Sequence, residues 1–380
     1  MRASTFSYID GRWAAPGGDA DLVLWFAPVA SIHTDETFAA LRGLYPKAVL
    51  AGCSAQEAFE GGEPIDRPMA AALSFDKARV RAVEAPMRPG ADPRVQGAAL
   101  ARALVEPDLR AVILLYAVAG PKQGAATAPE QPAAWTRGVA EALPAGVALF
   151  GCGASDSLAT RDARVGIDRN PSGGVLAAIG LYGESLRVGC GVAHGWEPIG
   201  PMRRITRAEG NRIYEFDGRP ALDSYLQYVG VDPQSYAGFN ARYPLIVHDR
   251  DSGEDLPFVV AGLDEAEGAL ELSDSVPVGA MAQVGFGSFG RLIDASAEAA
   301  RTALAACGPD AAVALSAICV IRKIALGQRI LEEVEALNEE TPGLPSLGLL
   351  AFGEVAPHAR TGRGAFHTMS VAVAVLGEAA

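Results

Sequence analysis

Apolar positions along the chain fall into two patterns. Three stretches are apolar without alternation: Leu22 to Pro28 (LVLWFAP), Ala111 to Val118 (AVILLYAV) and Ala311 to Ile321 (AAVALSAICVI). A short aliphatic run with no polar face is the mark of a strand covered on both sides, as in an α/β sheet. Each is followed by apolar residues at helical spacing. These are Phe38, Leu41 and Tyr45 after an N-cap at Thr34-Asp35, then Trp135 and Val139 between about Pro132 and Leu143, and finally Ile330, Leu331, Val334 and Leu337. A second strand comes next each time, at Ala48 to Ala51, Val147 to Phe150 and Leu347 to Phe352.

Two of these second strands end in the same words. Val49-Leu50-Ala51-Gly52-Cys53-Ser54-Ala55 and Ala148-Leu149-Phe150-Gly151-Cys152-Gly153-Ala154 read as an internal duplication. Their flanks agree. Ala71 to Phe75 leads into Arg79 to Val83, and Ala177 to Leu181 into Leu186 to Cys190, which predicts hairpins turning at Asp76-Lys77 and Gly183-Glu184. A diverged third copy lies near the end, where Leu349-Leu350-Ala351-Phe352-Gly353-Glu354 replaces the Gly-Cys turn. The fold class predicted is α/β, with repeated βαβ-plus-hairpin units forming mixed sheets in two domains.

Between the second and third copies, Asn211 to Pro220 reads as strand, turn and helix start. Leu222, Tyr225, Leu226 and Val229 form one helix face, and Gly230 closes it. Strands are expected from Phe258 to Phe289, and a helix from about Arg291 to Cys307. Gly285-Phe286-Gly287-Ser288-Phe289-Gly290 matches a dinucleotide fingerprint, but it lies late in the chain and the next strand ends without the acidic residue that holds a ribose. Glycines easing a crowded turn are the better reading.

Length and composition place the chain among globular proteins of more than one domain: 380 residues, 49% hydrophobic and 20% charged. A net charge of −13 excludes general nucleic-acid binding. The one dense basic run, Met202 to Arg207, reads as a solvated edge strand or linker. No apolar stretch reaches the length of a membrane helix and the N-terminus has no signal-peptide core, so a cytoplasmic protein is expected. Five cysteines without a Cys-x-x-Cys pair argue against disulfides and zinc.

Candidate chemistry is sparse. Cys53 and Cys152 each follow a glycine at a strand end, where a thiol could ionise, yet no base is marked for them; the histidines stand scattered at 33, 194, 248, 358 and 367. His194 sits between small residues and beside Trp196, a place from which an imidazole could face a ligand, and a haem needs only one protein ligand.

Together, Gly52-Cys53-Ser54, its echo at Gly151-Cys152, Tyr214-Glu215-Phe216-Asp217-Gly218-Arg219-Pro220-Ala221-Leu222 and the closing Ala351-Phe352-Gly353-Glu354-Val355-Ala356-Pro357 resemble the FIST family of bacterial sensory proteins. The resemblance runs from about Asp21 to Leu376. It implies a FIST N-terminal domain over 21–209, after an extension over 1–20, and a FIST C-terminal domain over 210–380. It also implies a non-enzymatic cytoplasmic module without a cofactor, binding an amino acid or related metabolite. Its partner would be a separate histidine kinase, chemoreceptor or cyclic-di-GMP enzyme, since no such segment follows Leu376. Ligands of α/β sheets sit beyond the carboxyl ends of strands. The expected ligand residues are therefore Gly52, Cys53, Ser54, Gly151, Cys152, Gly153, Ser155, Arg322, Gly353 and Glu354, with Arg322 and Glu354 suited to a carboxylate and an amine. One branch of the family resembles haem-based nitric oxide sensors, which would make His194 the axial ligand of a haem b. A thiol-dependent enzyme using Cys53 or Cys152 is the remaining alternative.

Overall fold

The three parallel strand pairs form as their apolar runs predict. Leu22–Ala27 lies beside Val49–Ser54, Leu109–Ala117 beside Ala148–Gly153, and Ala311–Cys319 beside Ser346–Ala351. The connecting helices are Asp35–Leu44, Gln131–Ala142 and Ile330–Glu339. Each pair is the centre of a six-stranded mixed sheet, here numbered I to III in chain order. An antiparallel strand flanks each pair: Met69–Ser74, Val175–Tyr182 and Val371–Glu378. The computed structural model describes all residues except 16, 33, 62, 89, 118–130, 157–161, 231–240, 251–252 and 380.

Alternate side chains of these strands enter two different apolar cores, so neither face shows as polar in the sequence. Leu24 and Phe26 of sheet I, Ile113 and Leu115 of sheet II, and Leu315 and Ala317 of sheet III share one central core. Val23 and Trp25 point the other way, with Leu41 of the covering helix. The sheets thus face one another around a common axis, with helices outside.

The units exchange strands. After Val49–Ser54 of unit I, Ala58–Glu60 pairs with Ser346–Ala351 of sheet III. After Ala148–Gly153 of unit II, Val165–Ile167 pairs with Val49–Ser54 of sheet I. After Ser346–Ala351 of unit III, Glu354–Pro357 pairs with Ala148–Gly153 of sheet II. The predicted hairpins are corrected in the same way: the turns at Asp76-Lys77 and Gly183-Glu184 are present, but their two arms join different sheets. Arg79–Pro86 pairs with Val175–Tyr182 in sheet II, and Leu186–Ala193 pairs with Val371–Glu378 in sheet III. Sheet I receives Arg2–Ile9 at the equivalent place, against Met69–Ser74.

A separate sheet of eight strands is inserted between Leu186–Ala193 and the helix Phe289–Cys307. It starts with Glu197–Glu209, ends with Met281–Phe286, and buries Tyr225 and Val229 of the helix Ala221–Val229. Gly230, at φ 68°, closes that helix. The basic run is not an edge: Glu197–Glu209 is paired on both sides, and Arg203 and Arg207 meet Asp217 and Glu215. The glycine-rich segment follows an antiparallel strand, unlike a dinucleotide fold. Its Gly287 lies so close to the Trp196 ring that a Cβ would come within 2.1 Å, the crowding expected of it.

Where the exchanged turns meet, one carboxylate ties them. Glu378 accepts from the backbone N–H groups of Asp76, Lys77 and Ala78 at 2.6, 2.8 and 2.6 Å and from the Ser185 hydroxyl at 3.0 Å. Burial alone would push its carboxyl up, but these donors outweigh it and hold the pKa at about 2. Because the folded value is depressed, this contribution is complete above the unfolded value of about 4.5 and fades as pH falls toward 2. Glu378→Gln is expected to cost about 2 kcal/mol at pH 7. Urea titrations should show the gap to wild type closing below about pH 4.5; an undiminished gap at lower pH would remove the electrostatic account.

Candidate functional site

At the carboxyl ends of the parallel strands the three turns are joined by direct hydrogen bonds. Ser155 N–H donates to Ser54 O at 3.1 Å, and Gln56 N–H to Ser155 Oγ at 3.0 Å, while Ser155 Oγ donates to Leu350 O at 2.5 Å. Gly153 and the Phe352-Gly353 turn exchange two more, at 2.9 and 3.0 Å. Ser54 Oγ accepts from Arg164 N–H. The serines that the duplication singled out therefore staple units to one another.

The glycines serve the same packing. A Cβ on Gly52 would reach the Trp25 ring at 2.2 Å, on Gly151 the Leu114 carbonyl at 1.8 Å, and on Gly153 the Phe352 carbonyl at 2.3 Å. Gly353 turns at φ 89° against the Phe366 ring. The N–H groups of Ser54, Gly153 and Ala154 already donate to Arg164, Gly353 and Tyr116 carbonyls. The reason given for these glycines in the sequence, backbone open to a ligand, is thus replaced by close approach between strands. The register also moves the third copy: Gly52 faces Trp25, Gly151 faces Leu114 and Gly348 faces Ser316, so Gly348, not Gly353, is the third equivalent glycine.

In that register Cys53, Cys152 and Leu349 are equivalent, and their partners on the exchanged strands are Val165, Glu354 and Ala58. Val165 and Ala58 complete the central core. Glu354 puts a carboxyl at the corresponding position, fully buried. Its Oε2 accepts from Ser370 N–H at 3.2 Å, and its Oε1 has no partner. Burial pushes this carboxyl well above the usual range, despite the Ser370 N–H, the Cys319 thiol and the Arg322 charge. A second buried acceptor without a partner, Gln56 Oε1, lies on the first turn, at the place Ser155 takes in the second copy. Sequence reading passed over Gln56, although the duplication marks its position.

The cysteines are interior groups. A hydrogen bond with Cys152, then burial, push the Cys53 thiol well above its ordinary value; burial and the neighbouring Glu354 do the same to Cys319. Among the described residues no group of His, Cys, Asp and Glu is arranged to hold a metal. Within the central core, beside Cys152, lies a cavity of about 20 Å³ lined by Phe26, Leu115, Phe150 and Ala317, where Ala317 takes the place filled by Phe26 and Leu115 in the other units.

Two family models cover this architecture: the FIST N domain matches residues 21–219 and the FIST C domain residues 221–357. The chain belongs to the FIST family. FIST domains are small-ligand sensory domains, and no described helix of this one is long and apolar enough to cross a membrane. A 48-residue stretch is 42% identical to an uncharacterized protein, MJ1623, of Methanocaldococcus jannaschii, covering 13% of this chain and 9% of that protein. The fold also bears a likeness to cyanuric acid hydrolase from A. caulinodans over 100% of this chain and 99% of that one. With 9% identity and a TM-score of 0.41, the likeness is too weak to support any assignment.

Arg322, named with the turns, and His194, named as a haem ligand, have other duties in this FIST protein. Arg322 is fully buried; its Nε donates to Glu333 at 2.5 Å, Nη1 to the carbonyls of His194 and Met369 at 2.6 and 3.0 Å, and Nη2 to that of Leu292 at 2.7 Å. With four donors spent on the protein, it positions the site rather than gripping a carboxylate. His194 Nδ1 accepts from Trp196 N–H at 3.0 Å, which leaves the proton of the neutral ring on Nε2. Burial, with Arg322 nearby, lowers its pKa to about 4. An imidazole so held does not fit the axial ligand of a haem. His33 lies outside the described residues.

Arg322→Ala would leave Glu333 buried without its counter-charge, and is expected to cost about 3 to 5 kcal/mol in denaturant unfolding. A loss below about 1 kcal/mol would mean that the pair is not what holds this region.

Proposed function

We propose that this FIST protein is a sensory input module whose small ligand, an amino acid or related amine-bearing metabolite, is recognised by Glu354. The signal would pass to a separate protein such as a histidine kinase, a chemoreceptor or a cyclic-di-GMP enzyme. The observation that carries the reading is the buried Glu354 carboxyl with one oxygen unpartnered, at the meeting of three strand-end turns. An ammonium would supply the missing donors and stabilise the ionised form, so binding releases the carboxyl proton. The neighbouring cavity, at about 20 Å³, has room for one water. A metabolite therefore has to part the turns as it binds, and such coupling of occupancy to conformation is what sensing requires.

A screen of amino acids and amines by thermal shift is expected to find a stabilising ligand. Calorimetry in buffers of different ionisation enthalpy should then report net proton release on binding. Glu354→Gln, isosteric with the protonated acid, should keep the melting temperature and weaken binding about 10- to 100-fold. A ligand that binds the Gln variant equally well would overturn the assignment.

The burial of Cys53 and Cys152 favours a non-enzymatic role over thiol chemistry. In folded protein both should react with iodoacetamide at least about 100-fold more slowly than in denaturant; rapid alkylation of either at neutral pH would reopen the enzyme reading.

A further inference from the structure

We propose that the inserted sheet is the moving output of the sensor, latched through Glu254 to the hairpin that carries Glu354. That hairpin consists of Glu354–Pro357 and Gly364–His367, joined by a turn that His358 and Arg363 close with a backbone hydrogen bond. One of its strands completes sheet II beside Cys152, so a shift at Glu354 cannot be absorbed without moving the hairpin. Glu354 pairs across the hairpin with His367, and the His367 ring meets that of His358 edge-on at 5.3 Å.

The far end of the hairpin is held by the inserted sheet. Glu254 immediately precedes the strand Asp255–Phe258, and its carboxylate takes Arg360 N–H at 2.8 Å on Oε1 and His358 Nδ1 at 3.1 Å on Oε2. Arg360 Nη1 returns a bond to Gly253 O at 2.9 Å, and Gly253 has φ 70°, with the guanidinium 2.8 Å from where a Cβ would stand. Farther along, Thr368 Oγ1 donates to Pro257 O at 2.7 Å. These polar bonds flank an apolar contact, in which Ile246 and Val259 of the inserted region join the core of Trp196, Leu292 and Met369, while the rest of the inserted sheet has a core of its own. The polar bonds of the latch open and close more readily than that packing rearranges.

This inference rests on Glu354 as the ligand group, but coupling can be read without any ligand, by hydrogen exchange on the full chain. Glu254→Gln should raise exchange about tenfold or more in Asp255–Phe258 and Leu245–His248, and also across the latch in Glu354–Pro357, with Leu22–Ala27 unchanged. Because coupling is reciprocal, Glu354→Ala, which removes the buried carboxyl, should alter exchange in Asp255–Phe258. Changes confined to the mutated side in both variants would overturn the latch while leaving the binding site standing. A metabolite screen without a hit, with exchange coupled as described, would instead remove the ligand reading alone. Should Glu254→Gln loosen Leu22–Ala27 as well, His358→Gln, which removes one of the two bonds, decides by the same criterion.

Discussion

Each six-stranded sheet is completed by a strand that belongs to another unit, and this exchange constrains everything else in the molecule. Ala58–Glu60, Val165–Ile167 and Glu354–Pro357 each cross to a neighbouring sheet, in a closed cycle. No unit can satisfy the backbone groups of its own second strand, so the units must fold together. The exchange also brings the three strand-end turns within hydrogen-bonding distance, since each crossing strand begins where a turn ends. It turns residues that would be surface loops in an isolated βαβ unit into a buried junction. A single polar group placed there is desolvated from three sides.

Arg322 performs for the insertion what the exchange performs for the sheets. Its four acceptors belong to the segment entering the inserted sheet, the helix leaving it, the helix Ile330–Glu339 and the turn before the last strand. Glu333 Oε1 also takes the Ser296 hydroxyl at 2.5 Å, while its Oε2 is unpartnered. A buried pair of this kind stabilises little compared with apolar packing of equal volume, but it fixes one arrangement strongly. Both ends of the inserted sheet are therefore anchored to one buried side chain. Trp196 adds to the anchor, with Nε1 donating to Met369 O at 2.8 Å.

Much of this was legible in the chain because the signal was local. Leu22 to Pro28 and its two counterparts had to be strands covered twice, and the Gly-Cys echo had to mean repetition. What could not be read was pairing. The residues around Asp76-Lys77 form a turn whether their arms fold back or part, and nothing within a dozen residues distinguishes the two outcomes. Gly348 went unrecognised as the third glycine because Leu349 follows it instead of a cysteine, and register alone exposes the equivalence. Arg322 looked like a ligand group because a charge at the end of an apolar strand attracts that reading; its acceptors at 194, 292, 333 and 369 are gathered only by tertiary structure. Glu354 was visible as a departure from the repeat, although its burial was not.

Repetition turns that departure into an argument. Three positions on the exchanged strands are structurally equivalent, and Ala58 and Val165 show what packing alone asks for there: a small apolar side chain filling the central core. Glu354 pays a desolvation cost of about 1 to 3 kcal/mol for its unpartnered oxygen, which an apolar residue would avoid. Its raised pKa reflects that cost. Nor does it act as a counter-ion, since the Arg322 side chain bonds Glu333 and main-chain carbonyls instead. A group that harms packing, pairs with no charge and occupies one of three otherwise apolar positions is best explained by something it binds. It also lies on an exchanged strand whose hairpin bonds the inserted sheet. The position that breaks the repeat thus coincides with the element that can carry its effect outward.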